Sequence, residues 1–327
     1  MPAGLGGNQG ISIGMTPPEP SAVRNRSHTA ASGRARPTHG KANLIPYLYI
    51  LPAMVVMALI FGYPVYLNVR FSLMDLTGFD GVFSGLRNYR ILFEDQAFYH
   101  SLLHNVMLLT LVPVLVFLCI IFAVLLFERI RGWRLYRTVI FLPTVLSITV
   151  IGITFSVIFQ GNGALNEMLR GLGLRALALD WLGDRTLALL TVMFVIIWRE
   201  MGFGTVLFLA RLASISEEMF DAALLDGAGW WARLWYIIIP ELAIIIEFYT
   251  VIMVITMLSW VFNYVFVMTQ GGPGYSTYVM ELYIYNEAFK HNRLGVAAAA
   301  AVVLLLITVV LMVVSLRQRR KVVAEYA

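Results

Sequence analysis

The chain has 327 residues, 59% of them hydrophobic and only 13% charged, and its mean hydropathy is +0.78. Soluble domains carry about 25% charged residues, so these values exclude an ordinary soluble enzyme or binding module and describe an integral membrane protein. The formal charge of +5 comes from Lys and Arg beside apolar runs, which excludes a nucleic-acid-binding patch, and a single cysteine, Cys119, excludes both an intrachain disulfide and a cysteine metal site.

Residues 1–43 are rich in Gly, Pro, Ser, Ala and Arg and lack an apolar stretch. They read as a disordered tail and not as a secretory signal, and Met15 is an alternative start. Gly40-Lys41 is no phosphate-binding loop, because Ala42 follows where Ser or Thr is required and Ala35 takes the earlier glycine position.

A spanning helix needs about 20 mainly apolar residues. Six runs qualify: Leu44 to Leu67, Leu102 to Phe127, Leu135 to Phe159, Leu187 to Ala210, Leu242 to Met268 and Val296 to Leu316. Residues 44–316 are therefore expected to form an all-α, six-span domain, followed by a basic tail at 317–327. Arg24, Arg26, Arg34, Arg36 and Lys41 precede the first run, and Arg129, Arg131, Arg134 and Arg137 join the second to the third. Arg317, Arg319, Arg320 and Lys321 follow the sixth. With six spans all three clusters share a side, which the positive-inside rule makes cytoplasmic, together with both termini.

The five histidines show no metal-binding spacing; His100 and His104 are four apart and lack a third ligand. Arg199 and Glu200 fall near the middle of the fourth run, beside Trp198 and ahead of Gly202 and Gly204. Ionisable groups at that depth face either a pathway or polar partners on other spans, and the residues leave both readings open.

After the fourth run comes a polar cassette. Ser214 with Glu217 fits a capping box, Ser216 is a second possible N-cap, and Glu217 and Glu218 place negative charge at a helix start. Gly227 can end that helix in a left-handed conformation, and a second helical run from Trp230 to Ile239 is expected to stop at Pro240. Phe220, Ala223 and Leu224 recur at helical spacing, and Ala222 and Ala223 leave room for another surface. The cassette is either a docking element or a solvated helix packed on its own chain.

In the fifth run, Glu247 is placed for interfacial anchoring or for gating. Farther on, Thr256, Ser259 and Asn263 form a polar stripe at i, i+3 and i+4 spacing, flanked by Trp260 and Tyr264. Amide, hydroxyl and aromatic groups of this kind suit a sugar, or they join helices to one another. Gly271-Gly272-Pro273-Gly274 forces turns. Beyond it, Tyr278, Leu282, Tyr285 and Phe289 share a helical face, expected to lie amphipathically at the outer membrane surface. Ala297 to Ala301 permits close contact with another subunit.

The run Asp221-Ala222-Ala223-x-x-Asp226-Gly227-Ala228, with Pro240 after it, resembles the cytoplasmic EAA loop of permease subunits in binding-protein-dependent ABC importers. Asp221 stands where that family usually has Glu, and Ile244 where many members have a second Pro. The stretch Phe262 to Pro273, with Thr277 and Tyr283-Ile284-Tyr285-x-x-Ala288-Phe289, resembles carbohydrate-importer permeases, the first of the two paired permeases of the maltose and glycerol-3-phosphate type. The resemblance covers about residues 45 to 316.

It implies a subunit of a bacterial or archaeal cell (inner) membrane, paired with a second permease. Two cytoplasmic ATPase subunits or domains would bind ATP and Mg, an extracytoplasmic binding protein would deliver the sugar, and this chain would hold no cofactor and perform no bond chemistry. Glu218, Asp221, Ala222, Ala223, Asp226, Gly227, Ala228 and Pro240 would couple to the ATPase. Arg199, Glu200, Thr256, Ser259, Trp260, Asn263 and Tyr264 would face the substrate pathway. The alternatives are an ion-coupled secondary transporter using Arg199, Glu200 and Glu247, or the same importer class carrying a polyol or glycerophosphodiester.

Overall fold

The computed structural model describes residues 45–76 and 81–326, so the expected tail at residues 1–43 lies outside the described residues. The chain divides into two compact units, Met1–Ala53 and Met54–Ala327. In the first unit the described residues 45–53 are helical.

Among the described residues, five helices are long and apolar enough to cross a membrane, and a sixth candidate is bent. We label α1 (Leu48–Ser72), a two-stranded antiparallel hairpin of β1 (Met74–Asp75) and β2 (Val82–Phe83), α2 (Arg87–Glu94) and α3 (Gln96–Phe127). Then come α4 (Trp133–Val145), α5 (Ile148–Ile158), α6 (Ala164–Gly171) and α7 (Arg185–Leu212). After the cassette helix α8 (Glu217–Leu225) follow α9 (Trp230–Ser259), α10 (Phe262–Met268), α11 (Met280–Tyr285) and α12 (Leu294–Tyr326).

The third expected span is not one straight helix. α4 and α5 meet at 105°, with Leu146 and Ser147 in extended conformation between them. Pro143 lacks an amide hydrogen and crowds the preceding turn, which weakens the helix just before the break.

The fifth expected span departs from its sequence reading at both ends. Pro240 does not stop the chain: a π-turn at Leu234–Ile238 leads directly into Ile239–Ser259. The wider i→i+5 register absorbs the missing donor just ahead of the proline. The expected stop falls instead at Trp260 and Val261, which divide the run into α9 and α10.

α7 is the centre of the packing. It starts on Asp184, whose carboxylate accepts from the amides of Thr186 and Leu187 at 2.8 and 2.9 Å. The bonds to Leu187 and Thr186 hold that carboxyl below its ordinary range. At Gly204 an added Cβ would come within 2.6 Å of both Cys119 Sγ on α3 and the Tyr249 ring on α9, and at Gly202 it would collide with Thr144 and the Ile140 carbonyl on α4. These two glycines let three helices approach the α7 backbone directly. Around them Leu115, Cys119, Val192, Ile196, Phe208 and Tyr249 are fully buried.

Two expectations for the end of the chain are corrected. Tyr278 precedes α11 instead of lying on it, and Phe289 falls in the π-turn after it, so the four residues do not share one regular helical face; Tyr278 and Leu282 are buried, Tyr285 is half-buried and Phe289 is 74% exposed. Ala297 to Ala300 are also buried inside this chain, where the Ala298 carbonyl accepts from Asn68 on α1 at 3.5 Å; their small size serves an internal helix contact.

Candidate functional site

The cassette is built by its own local chemistry. Ser216 takes the extended backbone of an N-cap, but its side chain makes no cap bond; Ser214 bonds back to the Arg211 carbonyl at 2.7 Å, so the expected capping box does not form. Glu217 and Glu218 nonetheless occupy the first turn of α8, where they favour the exposed amides electrostatically. At the far end Gly227 has φ +75°. The Ala228 amide reaches the Ala223 carbonyl at 2.9 Å and the Gly227 amide reaches Leu224 at 3.0 Å, the paired bonds of a Schellman motif. A Cβ at Gly227 would meet nothing within 4 Å, so backbone conformation alone demands glycine there.

Two polar contacts tie together the spans that flank this helix, and one ring contact holds the helix itself. Arg211 at the end of α7 donates to Glu241 Oε2 at 2.8 Å and to its carbonyl at 3.2 Å, closing the base of the cassette. Glu128, after α3, accepts from Trp230 Nε1 and from Arg233, each at 3.2 Å. The Phe127 and Phe220 rings lie 5.5 Å apart. Sequence reasoning missed Glu128 and Glu241, because their partners are distant in the chain and a lone Glu beside an apolar run carries no pattern.

Ala223 is buried against its own chain at 8% exposure, so it anchors α8 instead of presenting a surface as expected. Glu218, Asp221, Ala222, Asp226 and Gly227 are exposed, Ala228 is half-buried, and Leu225 is 90% exposed at the tip. Pro240 sits apart from them inside α9, just after its π-turn.

The seven residues expected on a pathway separate into two groups. Arg199 donates to Glu200 Oε1 at 2.6 Å, and the Tyr264 hydroxyl donates to the same oxygen at 3.1 Å. The Tyr249 hydroxyl reaches the Glu200 carbonyl at 3.3 Å. Glu200 and Tyr264 are buried, so Arg199, Glu200 and Tyr264 form a polar clasp joining α7 to α10, which Tyr249 extends to α9. The other four do not join it. Thr256 bonds its own helix at the Ile252 carbonyl, Ser259 and Trp260 are exposed at the break, and Asn263 is half-buried beyond it. The stripe read as one continuous helical face is thus divided between two helices, because the break at Trp260 and Val261 interrupts the i, i+4 relation of Ser259 and Asn263.

A further network holds that break from the opposite side. Asn105 on α3 donates to the Met257 carbonyl at 3.3 Å and to Glu281 Oε2 at 3.4 Å, and accepts from the Met280 amide at 2.8 Å. Burial pushes the Glu281 carboxyl up to about 7. Nothing in the spacing of Asn105 and Glu281 announces this contact across 176 residues.

No family model matches the chain. It is 36% identical over 265 residues to the probable ABC transporter permease protein YurN of Bacillus subtilis, covering 78% of this chain and 89% of the relative. It is 32% identical over 248 residues to the lactose transport system permease protein LacF of Rhizobium radiobacter, covering 75% and 83% of the two chains. It is 31% identical over 278 residues to the arabinooligosaccharides transport system permease protein AraP of Halalkalibacterium halodurans, covering 83% and 86%. The fold also matches the crystal structure of a bacterial ABC transporter involved in import of the acidic polysaccharide alginate, with TM-score 0.72 and 21% identity over 85% of this chain and 95% of that one. With relatives above 30% identity aligned over most of their length, the chain belongs to the ABC transporter permease family.

Proposed function

We propose that this permease subunit forms half of the translocation pathway of an ATP-driven importer for a sugar or oligosaccharide delivered by an extracytoplasmic binding protein. Its fellow subunits are a second, paralogous permease and two cytoplasmic ATPase subunits or domains, which bind the ATP and Mg. It is the first of the two permeases in a maltose or glycerol-3-phosphate type pair. The α4–α5 pair counts as one broken span, giving six spans in residues 44–316, with the 1–43 and 317–327 tails in the cytoplasm.

The observation that carries this reading is the cassette: an exposed helix ended by a Schellman turn at Gly227, seated through Phe220 on Phe127 and through the buried Ala223, between spans that Glu128 and Glu241 tie together. A helix seated on the spans along one face and bare at its tip is suited to transmit movement from a partner. ATP binding closes the ATPases, α8 moves as a lever and the pathway opens outward; hydrolysis resets it. The names of LacF and AraP support a sugar substrate.

The ion-coupled alternative is less well supported, since Glu200 is already engaged by Arg199 and Tyr264. The Asn263 side chain makes no hydrogen bond within the described residues, which favours a role towards substrate over internal bracing. Asn263→Ala is expected to lower uptake by about 1–3 kcal/mol of binding free energy, or roughly five- to hundredfold, while the complex still assembles. Failure of assembly would identify it as bracing.

A cysteine replacing Leu225 tests orientation and docking together. It should react with a membrane-impermeant thiol reagent only from the cytoplasmic side and cross-link to the ATPase, whereas one replacing the exposed Leu172 should react only from outside. Outside labelling at position 225, or the absence of an ATPase cross-link from it, would contradict the proposal.

A further inference from the structure

At the opposite end of α7 from the cassette, a cavity of about 430 Å³ opens between α3, α7 and the loop that carries Ser276. Its size falls within the roughly 300–1,000 Å³ of small-molecule sites. His104 lines it and is only 8% exposed, with Nδ1 at 2.9 Å from the Tyr278 carbonyl oxygen. A carbonyl can only accept, so Nδ1 carries the ring proton, and Nε2 of the neutral imidazole is left as an acceptor. Arg185, Thr186 and Ser276 line the same space, Arg185 exposed at its rim. The Ser276 hydroxyl is buried with no hydrogen-bond partner among the described residues. Met107 and Met193 supply apolar wall.

This donor and acceptor set discriminates between ligands. A simple anion would meet the imidazole lone pair, and a cation would meet the guanidinium. A hydroxyl donates and accepts from one oxygen, so a polyhydroxylated ligand can meet both Nε2 and a guanidinium, while the methionines offer surface to the C–H face of a sugar ring. The geometry points to a sugar subsite here, an entry position at the outer end of the pathway and separate from the Thr256 to Tyr264 region. The assignment rests on the importer reading above and adds a place where substrate pauses before the break in the fifth span.

Thr186→Cys provides the test, since Thr186 is exposed in the cavity and the chain's single native cysteine, Cys119, is buried. The assembled transporter in nanodiscs is treated with a small methanethiosulfonate reagent with and without lactose, arabinotriose or diacetylchitobiose. At least one sugar should slow labelling about tenfold when present at about ten times its Kd. Sodium glutamate, a mimic of a partner's acidic side chain, should not protect. Protection should be lost in His104→Gln and in Arg185→Gln, the second lying at the rim where folding is unaffected. Arg185→Gln should also raise the KM for uptake of the protecting sugar while the rate at saturation is retained.

Absence of protection by all three sugars, equal protection by glutamate, or protection surviving both substitutions would overturn the subsite. ATP-driven uptake without protection would overturn the subsite and leave the importer reading standing. Protection without ATP-driven uptake would support the subsite and count against the importer reading alone.

Discussion

Gly227→Val should leave the permease in the membrane with its partner permease but sever it from the ATPase. At φ +75° a residue bearing a β-carbon costs about 1–2 kcal/mol, and a β-branched one is the least tolerant. Because no atom crowds the site, the whole cost falls on backbone conformation. The chain relieves it by abandoning the left-handed turn, which breaks the Ala228–Ala223 and Gly227–Leu224 bonds and redirects the exposed tip of α8. The expected result is loss of ATPase co-purification and of binding-protein-stimulated hydrolysis, with uptake reduced tenfold or more, where tenfold corresponds to about 1.4 kcal/mol of lost coupling. Gly227→Asn should retain most activity, since asparagine tolerates this conformation. Normal docking and normal coupled uptake in the valine variant would remove the cassette from the mechanism.

Glu200→Ala should be more damaging, and by a different route. The carboxylate is buried and accepts from both Arg199 and Tyr264, so its removal leaves a guanidinium at membrane depth without its counter-charge. Breaking a buried pair by deleting one partner costs about 3–5 kcal/mol. Folded yield in detergent and thermal stability should fall sharply, and the double variant Arg199→Ala with Glu200→Ala should recover part of the loss because the stranded charge is gone. A single Glu200→Ala variant that is stable but inactive would instead return these residues to the substrate pathway.

The contrast between the two sites explains what could be read from the sequence. The cassette was legible because its signals are local: acidic residues in the first turn, a glycine at the helix end, all within a dozen positions. Its brace was not, since Glu128 meets Trp230 and Arg233 across more than 100 residues. The spans were legible from apolar length, but their breaks were not. Pro240 looked like a helix stop, yet the chain passes through it by way of a π-turn, whereas the run from Leu135 to Phe159 looked continuous and the chain bends just after Pro143. The break in the fifth span at Trp260 and Val261 bears no proline or glycine, and a tertiary contact from Asn105 to the Met257 carbonyl accompanies it. A polar pattern such as Thr256, Ser259 and Asn263 presumes a continuous helix, so the stripe failed where that presumption failed.

The alanines of α12 teach a related point. Small residues on an apolar helix announce close contact without saying with what, and here the contact is internal.

The account stands most directly on ATP-driven uptake. The complete complex, reconstituted in proteoliposomes with its binding protein and a radiolabelled oligosaccharide, is to be assayed with and without ATP while sodium and proton gradients are clamped at zero. The account predicts accumulation that requires ATP and the binding protein and is unchanged when either ion gradient is imposed. Uptake that proceeds without ATP and follows an ion gradient would contradict it.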